Sequence, residues 1–546
     1  MKKLFIFISL ITISFLQAQQ QKDSVKTEVV NVTHSFNPTV QDAYKLAVNP
    51  DSIHVIEKKI PVRFKIQSVP VASTFMPEKG SMKKIHFSPD ISNNNASYVQ
   101  LGAGNYTHIL FDSYVYYPVT EKLSAGVNIN HFSSQGTKND TLINPYHNNK
   151  ADILLNYKNE KSQFGLDIGY TNVKHKLNKS PIIINDPIDL GDYDIDYANN
   201  NIFNFGVNGN FNDLFIKDFN INFQNFWDKD NDYENKLNFN STLTFPIGNV
   251  SINTGLRGDL VTGKSSLIPI NYNNFDAGVL PSFVYDNENF NIKLGAKIFY
   301  QNFKDYKKVQ FFPDVLANLN IVYEKLSIYG GLNGDIFPSS FIELSSRNPY
   351  MKQFGGIKPE LMPIEIFGGI KGSFSSSFAY RLKMGFRQLK NHPFYYGIPF
   401  YNLIYTAFYG NLKQSYFSSE VNVGIGKKLD FKFNFTYYQN NTGHFSRALF
   451  MPDYTIKSMI NFRPTEKLTF NFTVDNLSER TYMTNATLGS FTDLNLEVRY
   501  KINKDFTAFI LGNNLLNKSY QIYYLYPVEK LQIQAGVMYK FDLSKN

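Results

Sequence analysis

The sequence predicts an all-β protein, a transmembrane antiparallel β-barrel of about 22 strands with short periplasmic turns and long extracellular loops. Two observations carry that prediction. Apolar side chains recur at every second position in one short segment after another, and the connections between segments alternate between tight polar turns and longer loops. Strands that cross a bilayer need the first pattern because successive side chains point to opposite faces. An ordinary all-β protein has no reason to show the second.

The alternation is legible along the whole region from about Ser97 to Phe541. Phe290, Ile292, Leu294, Ala296 and Ile298 face one way, and Asn291, Lys293 and Lys297 the other. Phe431, Phe433, Phe435 and Tyr437 alternate with Lys432, Asn434 and Thr436, and Leu468, Phe470, Phe472 and Val474 with Thr469, Asn471, Thr473 and Asp475. The last segment sets Leu531, Ile533, Ala535, Val537, Tyr539 and Phe541 against Gln532, Gln534 and Lys540. A helix would space apolar residues three and four apart. Tight turns are expected near Thr120, Asn159, Asp213, Gly248, Asn287, Glu324, Ser376, Lys428, Pro464 and Asn503. Longer loops are expected at 134–149, 175–198, 227–235, 263–272, 303–309, 339–363, 391–402, 441–452, 478–490 and 517–529, with a tighter connection at Asn105 to Thr107.

The chain of 546 residues opens MKKLFIFISLITISFLQAQQ. Lys2 and Lys3, an apolar run from Leu4 to Leu16 and the small Ala18 read as a secretory signal over residues 1–18, too short to span a membrane as a helix. Residues 96–546 read as the barrel, and 19–95 as a periplasmic or partial-plug segment that carries Pro38, Pro50, Pro61, Pro70 and Pro77. With no cysteine, disulfides, thiolate metal sites, thiol catalysis and a lipoprotein anchor are excluded. The 49 Phe and 36 Tyr beside a single Trp suit aromatic girdles at two membrane interfaces, although Phe and Tyr are also enriched in AT-rich genomes. A net charge of +9 is spread without the concentrated basic face that a nucleic-acid partner needs.

Candidate sites are few. Asp228, Asp230 and Asp232 have the spacing of a calcium-loop start, but an EF-hand also needs glycine at position six and glutamate at twelve. Tyr233 and Phe239 stand there, so a solvated hairpin is the preferred reading and no metal is assigned. Asp189, Asp192, Asp194 and Asp196 read as a hydrated loop in the same way. Of the nine histidines, none lies in an HExxH pattern, and there is no GxSxG elbow or phosphate-binding glycine loop. His444 near Asn440, Asn441 and Ser446 is the nearest approach to a rim catalytic group. No catalytic residue and no cofactor is assigned, and the chain does not read as an enzyme. Arg257 with Asp259, and Glu497 with Arg499, have the parity of lumen-facing ion pairs.

Four places resemble the TonB-dependent receptor superfamily in its Bacteroidetes form. Thr27 to Thr33, with Glu28, Val29, Val30, Asn31 and Val32, is similar to the stretch around a TonB box. Asn348-Pro349-Tyr350 with Lys358-Pro359-Glu360 resembles a mid-barrel loop pattern of that family. Asp475 to Tyr482 and Asn513 to Tyr520 resemble its NL..K.Y signature, and Gly536 to Phe541 its closing strand. The resemblance implies a receptor in the outer membrane of a Gram-negative bacterium that mediates or gates solute transport, surrounded by outer-membrane lipid. It also implies contact with TonB, or with a periplasmic or lipoprotein partner, through the N-terminal segment. The chain departs from the family in length, because a full plug needs well over a hundred residues before the barrel and fewer than eighty stand here. A non-transporting barrel scaffold of an envelope or secretion complex is the alternative.

Overall fold

The computed structural model describes residues 97–543, apart from 138–141, 143–144, 181–195, 213, 268, 288, 304–305, 323–324, 354, 376, 400–402, 444–447 and 484–485. The signal, the 19–95 segment, Glu28 to Val32, Asp189 to Asp194, His444 and the turn centres Asp213, Glu324 and Ser376 lie outside the described residues.

Twenty-two strands form one antiparallel sheet. Each barrel strand pairs with the next in sequence, and the first, Ser97–Gly104, pairs with the last, Gln532–Phe541, setting Val99 opposite Tyr539 and Leu101 opposite Val537. That last ladder closes the wall, so no edge is left unpaired. The alternation read from the sequence separates two environments: Ile533 is 50% exposed and Gln534 only 1%. Leu294 and Ile298 likewise point out while Lys297 is buried.

One end of the barrel carries ten connections of two to five residues, and polar side chains make several of them. Asn159 Oδ1 accepts from the amides of Lys161 at 2.9 Å and Ser162 at 2.7 Å. Asn503 does the same for Asp505 and Phe506, and Thr120 and Thr465 accept from Leu123 and Leu468. Such side chains replace the backbone partner that a turn lacks. Beside these turns exposed aromatics form a girdle, with Phe215 stacked on Phe245 at 5.8 Å, Phe374 on Tyr380 at 5.2 Å, and Phe506 against Tyr539 at 4.8 Å. A belt of this kind marks a bilayer interface.

The opposite end has eleven connections, and only some are long. The expected loops at 227–235, 263–272, 303–309 and 391–402 shrink to 229–232, 266–269, 304–305 and 400–402. The flanking strands keep pairing beyond the membrane, where both faces can be polar and the period-two signal fades. Strands Phe378–Pro399 and Leu403–Ile425 run 22 and 23 residues, about twice what a crossing needs. A bulge between Leu389 and His392, with Asn391 at φ 55°, marks where this hairpin leaves the regular wall.

Candidate functional site

Among the described residues of the long connections, Leu177, Tyr350, Phe450, Leu488 and Tyr523 are buried rather than turned out to solvent. They meet, with Phe394, Tyr395, Leu403 and Tyr405 of the 378–425 hairpin, in one hydrophobic core at that end of the barrel. Tyr350 stacks on Tyr526 at 3.6 Å, and Tyr405 and Phe450 pack on Tyr523 at 5.3 and 5.5 Å. Backbone bonds stitch the pieces: Tyr405 N donates to Tyr350 O at 3.1 Å and Lys352 N to Tyr405 O at 3.0 Å. The Tyr523 hydroxyl donates to Arg347 O at 3.1 Å. These residues come from connections on opposite sides of the wall, so the core bridges the mouth as a roof.

A short helix, Phe341–Arg347, anchors this roof to the interior wall. Ser340 caps it through the Glu343 amide at 3.2 Å, the Ser-x-x-Glu pattern of a helix start. The fully buried Glu234, on strand Tyr233–Ile247, accepts from the amides of Phe341 at 2.8 Å and Ile342 at 3.1 Å. Tyr272 donates to the same carboxylate at 2.6 Å, and Lys236 pairs with Glu343. Farther along the connection Ser265 donates to Gln353 O at 2.8 Å and Asn274 to Ile357 O at 2.9 Å.

The acidic run at 228–232 is part of the same anchor. The Lys352 ammonium lies 2.6 Å from Asp228 and also contacts Asp230. Asp232 accepts from the Ser266 amide and hydroxyl, each at 2.6 Å. Burial, then the neighbouring Asp228, pushes the Asp232 carboxyl up to about 6. Burial alone would depress the Lys352 ammonium, but Asp228 and Asp230 outweigh it and hold its pKa above the ordinary lysine value. The three carboxylates are therefore engaged by a lysine and a serine.

Below the roof the interior wall is polar. Asn130 donates to Asp112, Asn128 to Asp152 at 3.1 Å, Asn204 to Asp167, Asn222 to Asn204 at 2.8 Å and Asn238 to Asp259. Arg257 Nε lies 3.3 Å from Asp259 and its Nη1 2.8 Å from Asp335, which also takes Lys297 at 2.7 Å. Strand Leu326–Phe337, which holds Asp335, is four strands along the wall from that of Arg257, a reach open to the side chain only through the interior. Arg499 lies 2.7 Å from Glu497 and reaches Gln100, three strands away, at 3.3 Å. Asn471 donates to Glu497 at 2.8 Å.

The family-like stretches at 348–350, 475–482 and 513–520 contribute to the roof, whereas Gly536 to Phe541 lies in the closing wall strand. Arg480 donates to Ile522 O at 3.1 Å and Gln521 O at 2.7 Å, and Tyr482 stacks on Tyr524 at 4.4 Å. Asn514 donates to Lys518 O and Glu529 O, and Tyr520 stacks on Phe491 at 4.0 Å. Asn348 Oδ1 accepts from the Tyr350 amide at 3.0 Å. No local sequence signal marks Lys352 or Tyr523, and none gives Glu234 a role beyond the end of the acidic run, because their partners lie far off in sequence.

A closed wall of twenty-two strands with inward-packed connections has known counterparts. The chain is similar to the FrpB iron transporter from Neisseria meningitidis, at TM-score 0.63 and 12% identity over 82% of each chain. The fold is that of the outer-membrane receptor barrels. The siderophore receptor PirA from Acinetobacter baumannii matches 82% of this barrel chain and 80% of its own, at TM-score 0.62 and 12% identity. The copper transporter OprC matches the same shares at TM-score 0.60 and 10% identity. These counterparts of the receptor-barrel fold are transporters and a receptor, not enzymes. No protein-family model matches the chain, and no curated protein resembles it in sequence.

Proposed function

We propose that this chain is an outer-membrane barrel of the TonB-dependent receptor type that gates the passage of a solute through its interior. The observation that carries the reading is the pairing of a polar inner wall with a roof drawn from both sides of the mouth. A wall of Asn, Asp, Arg and Lys suits a hydrated path, whereas a scaffold has no use for one. A barrel of this strand number is too wide for its own wall side chains to fill, so a conduit needs barriers. The roof is one of them.

Residues 19–95 are the natural second element, after a signal at 1–18 is removed. They would occlude the periplasmic side or dock a partner, TonB through Glu28 to Val32 or a periplasmic or lipoprotein subunit. The iron, siderophore and copper named for the similarly folded proteins support transport as the class of work. Proteoliposome swelling tests the proposal: the intact chain resists solute entry, and shortening the roof or removing residues 19–95 admits it. Stable co-purification of a partner by a barrel that admits nothing under any of these changes favours the scaffold instead.

A further inference from the structure

The outer surface of the wall carries a polar row distinct from the interior lattice. Strand register sets His131 opposite Asn149, Asn149 opposite Asn172, Asn172 opposite Asn201 and Asn201 opposite Trp227, on five consecutive strands from Leu123–Ser134 to Ile216–Asp228. Four residues closer to the turns, the same register lines up Val127, Ile153, Ile168, Phe205 and Phe223. Positions four apart on a strand share a face, and Val127, Ile153 and Trp227 are exposed on it. The polar row stands eight residues from the turn-side end of the first of these strands and eleven from that of the last. A crossing takes about nine to eleven residues, so the row marks the outer edge of the hydrocarbon layer, where lipid headgroups begin.

Side-chain bonds hold the row as a ladder. His131 Nδ1 lies 2.6 Å from Asn149 Oδ1, Asn149 donates to Asn172 at 3.5 Å, and Asn172 donates to Asn199 and Asn201, each at 2.9 Å. The Tyr170 hydroxyl donates to Asn201 at 2.8 Å, and Asn201 donates to Trp227 O at 3.3 Å. Charge separates this ladder from the interior one. Inside, Asn130, Asn128 and Asn204 each donate to an aspartate. Outside, from the row to the ends of these strands, the described residues that share its face include no Asp or Glu. They include lysines: Lys174 takes the next position beyond Asn172 on that face, its ammonium 4.3 Å from the Tyr197 ring centroid, and Lys176 follows. An Asn side chain offers two donors and two acceptor lone pairs, so a ladder amide keeps capacity for a hydroxyl. Fixed amides at the edge of the hydrocarbon suit sugar hydroxyls, and lysines just above them suit phosphates.

We propose that this row binds the phosphorylated sugar headgroup of an outer-leaflet glycolipid, with the acyl chains lying against the apolar rows. The assignment rests on the outer-membrane placement of the barrel and not on passage through it. Trp227 is the single tryptophan of the chain and ends the row, so its emission reports on the site. The test is native mass spectrometry of the delipidated full chain in detergent, offered equal amounts of bisphosphorylated lipid A and phosphatidylglycerol, with tryptophan emission recorded alongside. Lipid A is expected to be retained in preference and to shift Trp227 emission, and phosphatidylglycerol to do neither. Lys174→Gln/Lys176→Gln should lower lipid A retention by about tenfold and Asn172→Ala/Asn201→Ala by about fivefold. Lys427→Gln/Lys428→Gln, at the turn end, should leave it unchanged. Equal retention of the two lipids by the wild type overturns the site, as does undiminished lipid A retention by both row variants, each shown folded by heat-modifiable migration. A barrel that gates solute but keeps no lipid A overturns this site alone; lipid A held by a barrel that never conducts overturns the conduit and leaves the site standing.

Discussion

The Leu403 amide donates to the Asn178 carbonyl at 2.8 Å. Leu403 begins the sixteenth strand of the wall and Asn178 follows the fifth, so the bond joins connections ten strands apart in a ring of twenty-two. Chain segments from nearly opposite sides of the barrel touch over its mouth. Because the chain has no native cysteine, an Asn178→Cys/Leu403→Cys pair offers a clean probe. A disulfide should form on mild oxidation and shift migration on a non-reducing gel, whereas failure to cross-link in a folded barrel would mean that the two sides do not meet.

Tyr523 is fully buried at the centre of the roof, and Tyr523→Ala removes its contacts with Tyr350, Tyr395, Tyr405 and Phe450. Truncating a buried aromatic costs about 3–5 kcal/mol. Hydrogen exchange should accelerate in the roof segments around 341–357 and 514–531 and leave the wall strands unchanged.

Lys352 and Asp228 form an ion pair with almost no solvent access. Lys352→Met leaves two carboxylates facing a buried, uncompensated site, and breaking such a pair costs about 3–5 kcal/mol. Limited proteolysis should then cut within 338–359, and adding Asp228→Asn should restore part of the resistance.

The same anchor responds to pH. Asp232 titrates near 6 when folded, above its unfolded value, so the folded loop keeps an extra proton between about pH 4 and pH 6 and loses stability as pH rises through that window. Lys352, raised when folded, contributes fully below the unfolded lysine value and loses its contribution only as pH climbs past about 10. Exchange protection of the 229–232 turn should therefore fall between pH 4.5 and pH 7 and stay level to pH 9. Asp232→Asn should abolish the first change.

The wall was open to sequence reading because membrane strands impose one rule at every second residue, and Leu294 beside Lys297 or Ile533 beside Gln534 displays it locally. The turns were legible for the same reason: Asn159 and Asn503 act within three residues of themselves. The roof is not, since Tyr350, Tyr405 and Tyr523 meet across tens to hundreds of residues and nothing near any of them in sequence marks the meeting. Arg257 and Asp259 could be paired by parity, but Asp335, which takes both Arg257 and Lys297, lies too far along the chain for spacing to find. The row from His131 to Trp227 is hidden because it depends on the register of five strands.

Single-channel conductance of the chain lacking both residues 19–95 and the roof segment 341–357, with each single deletion and the intact protein alongside, separates a gated conduit from a sealed barrel. The intact protein should be silent, and large, steady openings should appear when both segments are gone. A doubly deleted barrel that is folded by heat-modifiable migration and still passes no current would contradict the gated conduit.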